Sequence, residues 1–220
     1  MPAISALALG VVLAAAGAGV EEAALPSPGS YTLQHIMPSP EGNVLDTKGK
    51  RVRLSRFTSG KVTLLSLIYT RCGDGTGCPL ATHQMQQLKG RLDAEPGMNG
   101  RVRFVSLSFD PANDTPEVMR AYGARYLPNA SGLPWHFLTT SSRAGIRPLL
   151  EGFGQDVWMR ADGSGDGALP HVLKIFLIDR LGSVREIYST SFLRPPVLLN
   201  DIRTLLMEER SAPASVRAAR

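Results

Sequence analysis

Lys61-Val-Thr-Leu-Leu-Ser-Leu-Ile-Tyr-Thr-Arg-Cys-Gly-Asp-Gly-Thr-Gly-Cys-Pro79 is the stretch from which the fold is read. Lys61 to Tyr69 is a continuous apolar run of strand length, as expected of a central strand covered on both faces. Pro79 suits the first turn of a helix, and Leu80, Met85, Leu88 and Leu92 recur at roughly helical spacing until the Pro96-Gly97 break. The stretch therefore reads as strand, cysteine loop, helix. Cys72 and Cys78, the only two cysteines of the chain, fall in that loop. A thiol at a helix N-terminus meets the positive end of the macrodipole and unpaired backbone N–H groups. Both favour thiolate, the form that attacks disulfides or binds a soft metal.

Working outward, Val102 to Phe109 is a second buried-type strand stopped by Asp110-Pro111. Asp114 or Thr115 caps the next helix, with Pro116 and Glu117 in its first turn, and the helix runs to about Tyr126. A short strand over Trp135 to Leu138 and a helix from about Ser141 to Phe153 follow. Residues 154–170 carry Gly154, Gly163, Gly165 and Gly167 and read as an exposed loop. His171 begins a strand through Ile178, Val184 to Tyr188 returns, and Pro195 to Met207 forms the last helix. Upstream, Asn43 to Leu54 alternates around a Lys-Gly turn and predicts a hairpin. Strands alternating with helices argue for an α/β domain. Its sheet is mainly parallel with helices on both faces, beside an N-terminal β-hairpin.

A chain of 220 residues with 43% hydrophobic content fits one domain. The formal charge of +5 is spread along it, and the basic clusters Lys48 to Arg53 and Arg210 to Arg220 lack interleaved aromatic residues. A nucleic-acid partner is therefore not expected. Residues 1–20 are apolar and rich in small residues, like a signal-peptide core, although their first residues include no Lys or Arg. They are poorer in Leu and Ile than the roughly 20-residue span a membrane helix requires. Cleaved export is the first expectation and a weak membrane anchor the second. Residues 21–40, with Pro26, Pro28, Pro38 and Pro40, read as a linker or extended arm. The domain is placed at 41–208 and a flexible basic tail at 209–220.

Two thiolates and one imidazole make a soft donor set suited to copper(I), and copper(II) or zinc could use it too. His171 is the best third ligand, since it starts a strand after a glycine loop and could reach a neighbouring strand's C-terminal loop. His83 competes, five residues into the helix that Cys78 opens, while His35 and His136 have no motif around them. A disulfide closing a small glycine-rich loop is the plain structural alternative. Two cysteines do not supply a zinc ribbon's paired knuckles. The loop glycines lack the Lys-Ser/Thr ending of a phosphate cradle. The methionines are dispersed as core residues are, and no serine elbow or paired catalytic carboxylates are present.

Five segments together resemble the SCO/SenC family: Lys61 to Cys72; Cys78-Pro-Leu80; Val105-Ser-Leu-Ser-Phe-Asp-Pro-Ala-Asn-Asp-Thr-Pro-Glu117; Trp135-His-Phe-Leu-Thr139; and His171 eight residues before Asp179. The resemblance runs from about Asn43 to Leu206. It implies a thioredoxin-like fold and an exported or membrane-anchored copper-binding protein that helps to assemble the copper centre of cytochrome c oxidase. It also implies copper ligation by Cys72, Cys78 and His171, with Asp110 supporting the site's geometry without ligating. The partners implied are a copper acceptor such as a cytochrome c oxidase subunit and a thiol reductant protein.

One departure stands out: the family usually places three residues between its cysteines, and this chain has five, three of them glycine. A looser loop costs more ordering entropy and pre-organises a metal site less. A thiol-disulfide oxidoreductase or thiol peroxidase working through the same cysteines is the alternative. Against it, Leu173 fills the position of a thioredoxin's facing proline, while Thr70 and Arg71 could serve a peroxidase. A secreted domain with an inert disulfide is the third reading.

Overall fold

The computed structural model describes residues 25–73, 77–127, 132–157, 172–189 and 193–211. In chain order the elements are β1 (Met37–Pro38), β2 (Asn43–Leu45), β3 (Arg51–Arg53), α1 (Ser55–Thr58), β4 (Val62–Ile68), α2 (Cys78–Asp93) and β5 (Val102–Ser108). Then come α3 (Pro116–Ala124), β6 (Trp135–Leu138), α4 (Arg143–Gly152), β7 (Ile175–Ile178), β8 (Ser183–Tyr188) and α5 (Pro195–Ser211). Residues 1–20, read above as an export signal or weak anchor, His171 and the tail from residue 212 lie outside the described residues, as does most of the glycine loop.

The two apolar runs become the centre of a six-stranded sheet of order β1-β8-β7-β4-β5-β6. Every residue of β4 and β5 is buried, which is why neither shows polar alternation. β4, β5 and β6 are parallel neighbours, and β7 runs against β4. β8 runs against β7 and β1 against β8, so four of the six strands point the same way and two oppose them. The β2–β3 hairpin is a separate ribbon. It touches the main sheet where Leu45 and Thr139 exchange backbone hydrogen bonds of 2.8 and 3.0 Å.

Helices cover both faces. Leu64, Phe104 and Trp135 share one register row with Leu177, on the face where Tyr122 of α3 meets Phe137 and Thr82 of α2. α5 packs on that face beside α2. The opposite face carries Leu65, Val105 and Phe176, and there Phe153, next to α4, lies 4.6 Å from Phe176 between ring centroids. α1 covers the same face through Phe57, whose ring meets that of His136.

Two boundaries differ from expectation. The strand placed from His171 begins at Ile175, since residues 172–174 are not strand. The last helix continues to Ser211, past the expected end at Met207, because Glu208 and Glu209 find basic partners in Arg185 and Arg101.

Candidate functional site

β4 delivers the chain to the cysteine loop through Tyr69, which is buried against Phe109 at a centroid distance of 5.2 Å. The next residue, Thr70, turns toward the segment after β5. Its N–H donates to Asp114 Oδ2 at 3.0 Å and its hydroxyl to Asp114 Oδ1. Arg71 extends a half-exposed guanidinium to within 3.7 Å of Asp110 Oδ2. Cys72 follows, partly exposed, with its N–H 3.4 Å from the Tyr69 carbonyl. Residues 74–76 lie outside the described residues, and the loop ends at Gly77, whose carbonyl accepts the Ala81 N–H to start α2.

Cys78 is the first residue of α2 and only 1% exposed. The Thr82 hydroxyl donates to its carbonyl at 2.9 Å, and the Tyr122 hydroxyl meets the same Thr82 oxygen at 3.0 Å. The pair is present as thiols rather than as a disulfide. The Cys72 side chain is near enough to hydrogen-bond with that of Cys78. Burial pushes the Cys78 thiol well above its ordinary range, a hydrogen bond from the Tyr69 backbone opposes that, and the Cys72 sulfur adds to the rise. Against the thiolate expected at a helix terminus, desolvation at Cys78 outweighs the backbone hydrogen bonds that favour the charged form. A cation between the sulfurs would reverse that balance, because it replaces the thiol protons.

Asp110 is buried, takes the Asn113 side-chain amide on Oδ2 at 2.8 Å, and donates its N–H to Ser108 Oγ at 3.0 Å. It therefore sits beside the loop, holding Arg71. Asp114 is the functional residue that sequence reasoning passed over. Helix-capping grammar offered it or Thr115, and Thr115 is the cap, its Oγ1 accepting the Val118 N–H at 3.4 Å. Asp114 is completely buried instead, and burial raises its pKa against the pull of the Ser108 and Thr70 hydrogen bonds. Two aspartates four residues apart after a buried strand were the available signal.

His171 lies outside the described residues. The other histidines go elsewhere: His83 Nε2 is 2.8 Å from Gln87 Nε2 on the exposed side of α2, His35 meets Ser183, and the His136 ring lies tilted against that of Phe57. No cluster of three metal-ligating side chains occurs among the described residues. The Thr70 hydroxyl, which a peroxidase would aim at its thiolate, is committed to Asp114.

A mixed sheet sandwiched by helices, with a dithiol where a central strand meets its helix, defines a thioredoxin-like redox or metal-handling protein. The SCO1/SenC family model matches residues 40–207, and the chain belongs to that family. A SCO1 protein homolog of Bacillus subtilis is 32% identical over 142 residues, covering 64% of this chain and 68% of the relative. The solved structure of BsSco is similar at 27% identity and a TM-score of 0.61, covering 78% of this chain and 94% of that one. It is described as a member of the Sco family of cytochrome c oxidase assembly proteins with a disulfide switch. Arabidopsis thaliana ScoI with copper bound shares the fold, with a TM-score of 0.64 at 19% identity over 79% of this chain and 99% of that one.

Proposed function

We propose that this chain binds one copper ion through Cys72, Cys78 and His171 and passes it to an acceptor protein in the assembly of a copper enzyme, cytochrome c oxidase in the first place. The observation that carries the reading is the contact between the two thiols at the β4–α2 junction, one at the surface and one inside. Two thiols that already interact need little rearrangement to share a soft ion, even on a five-residue loop. The copper held by a structure of the same fold and the assembly role given for BsSco support the same conclusion. Both thiols lose their protons as the metal enters. The partly exposed Cys72 then releases first, as an acceptor's thiolate replaces it stepwise. The apolar, small-residue leader supports export, with or without retention at the membrane.

Anaerobic titration of the reduced protein with copper(I) tests the reading. One equivalent should bind, and Cys72→Ser or His171→Ala should weaken binding at least tenfold. No stoichiometric binding, or binding unchanged in both variants, would sink it. The contact between the thiols also favours a second reading, a thiol-disulfide oxidoreductase. That reading requires turnover of a disulfide substrate without metal, and it fails if metal-free protein shows none above a Cys78→Ser control.

A further inference from the structure

We propose that Asp114 is the positioning residue of the thiol pair: it clamps the exit of β4 to the end of β5 and thereby fixes the loop that carries Cys72. The inference rests on the reading of Cys72 and Cys78 as a working pair.

Thr70 and Ser108 lie just beyond and at the ends of two parallel strands, whose last paired residues are Ile68 and Ser108. Asp114 stands in front of both. Its Oδ2 takes the Thr70 N–H at 3.0 Å together with the Ser108 hydroxyl, and its Oδ1 takes the Thr70 hydroxyl. Among the described residues the carboxylate takes its hydrogen bonds from Thr70 and Ser108, while the Asp114 N–H donates to the Asp110 carbonyl at 2.8 Å. A carboxylate with no exposed surface is expensive to bury, and helix capping does not account for it, because Thr115 performs that task. What the carboxylate does accomplish is to join three segments: the β4 exit, the β5 end and the start of α3.

Thr70 is two residues from Cys72, so a shift at Thr70 passes directly to the Cys72 sulfur. The Cys72 N–H lies 3.4 Å from the Tyr69 carbonyl, and the half-exposed Arg71 guanidinium 3.7 Å from Asp110 Oδ2, longer contacts than those to Asp114. The buried Asp114 clamp therefore restrains where Cys72 stands relative to Cys78.

The test is the equilibrium of the protein with a glutathione redox buffer, in which copper has no part. Closing the pair joins the two Sγ atoms, and two electrons and two protons reduce glutathione disulfide to two glutathione thiols. Asp114→Ala should shift that equilibrium constant about tenfold toward the dithiol, roughly 30 mV for a two-electron couple. Asp114→Asn keeps one oxygen for the Thr70 N–H and Ser108 hydroxyl and offers its amide to a rotated Thr70 hydroxyl, so it should stay within about threefold of wild type. Thr70→Val, which keeps the N–H bond and folds if Asp114→Ala does not, should shift the constant by more than about threefold. Phe153→Leu, on the opposite face of the sheet, destabilises the fold without touching the clamp and should leave the constant unchanged. In parallel, copper(I) affinity should fall about 10–100-fold in Asp114→Ala, the range for groups that orient a ligand.

A glutathione constant unchanged in Asp114→Ala and Thr70→Val, despite a lower melting temperature, would reduce Asp114 to a structural anchor and overturn the inference. The same holds if Phe153→Leu shifts the constant as far as Asp114→Ala. Failure of the wild-type protein to bind copper would remove the proposed function while leaving the glutathione result to decide the role of Asp114.

Discussion

His136 illustrates how a lone histidine is used inside this fold. It points to the α1 side of the sheet, its ring centroid 4.8 Å from that of Phe57. Burial lowers its pKa, and the nearby cations Arg103, Lys61 and Arg56 lower it further. Arg103 cannot move away, because its two terminal nitrogens donate at 2.6 Å to the carbonyls of Arg56 and Ser59. In the unfolded chain the imidazole protonates near 6.5, and in the folded chain only at lower pH. Between those values protons bind the unfolded chain preferentially. The contribution to stability is thus complete above about pH 6.5 and is lost as pH falls through the depressed folded value. Urea unfolding at several pH values between 8 and 5 should show wild-type stability declining on the acid side. His136→Phe, which keeps the ring contact, should decline less; an identical pH profile would show that His136 is not the group responsible.

At the level of elements, the contact between α3 and β6 is set by a missing side chain. A Cβ on Gly123 would lie 2.6 Å from Phe137 Cδ2 and 2.9 Å from Cε2, closer than real contacts allow. Alanine should gain about 1 kcal/mol in helix propensity. Against this stands an overpacking cost of about 1–3 kcal/mol. Phe137 is held by Trp135, stacked at 5.2 Å, and by Tyr122, so it cannot simply swing aside. Gly123→Ala should therefore lower stability by about 1–2 kcal/mol in chemical denaturation. An unchanged or raised midpoint would mean that α3 shifts freely on the sheet. The same contrast between local and tertiary causes separates the legible elements from the others. β4 and β5 were legible because burial on both faces writes an unbroken apolar run. α2 was legible from Pro79 and its leucines. The last turn of α5 was not, since Glu208 to Ser211 carry no apolar periodicity and depend on distant basic partners. Within the site, the cysteines announced themselves by placement, but Asp114 did not. Nothing local distinguishes an aspartate that caps a helix from one buried between two strand ends.

Across the whole molecule, the segment read as a linker or arm is tied to the domain by a buried arginine. Arg185, 5% exposed, spends Nη1 on Asp179 at 3.1 Å and Nη2 on Glu208 at 2.9 Å. The same guanidinium donates to the arm, to the Leu33 carbonyl at 2.6 Å and the Gln34 carbonyl at 3.2 Å. Asp179 in turn receives the N–H groups of Leu181 and Ser183, so the β7–β8 turn, α5 and the arm share one network. Further along the arm, Tyr31 and Tyr188 both donate to the buried Asp201 of α5. Removing one partner from a buried pair leaves an uncompensated charge and costs about 3–5 kcal/mol. A partly exposed pair such as Arg203–Glu95 is worth about 0–1 kcal/mol. Arg185→Ala should accordingly cost about 3–5 kcal/mol, and Arg203→Ala less than about 1 kcal/mol. Arg185→Ala should also release the arm, because the Leu33 and Gln34 carbonyls lose their donor while β1 retains only Met37 and Pro38 in the sheet. Limited proteolysis reads that directly: cleavage between residues 25 and 36 should accelerate in Arg185→Ala and not in Arg203→Ala. Equal cleavage rates in the two variants, or equal losses of stability, would mean that the arm is held by Tyr31 and β1 and that Arg185 serves only the β7–β8 turn and α5.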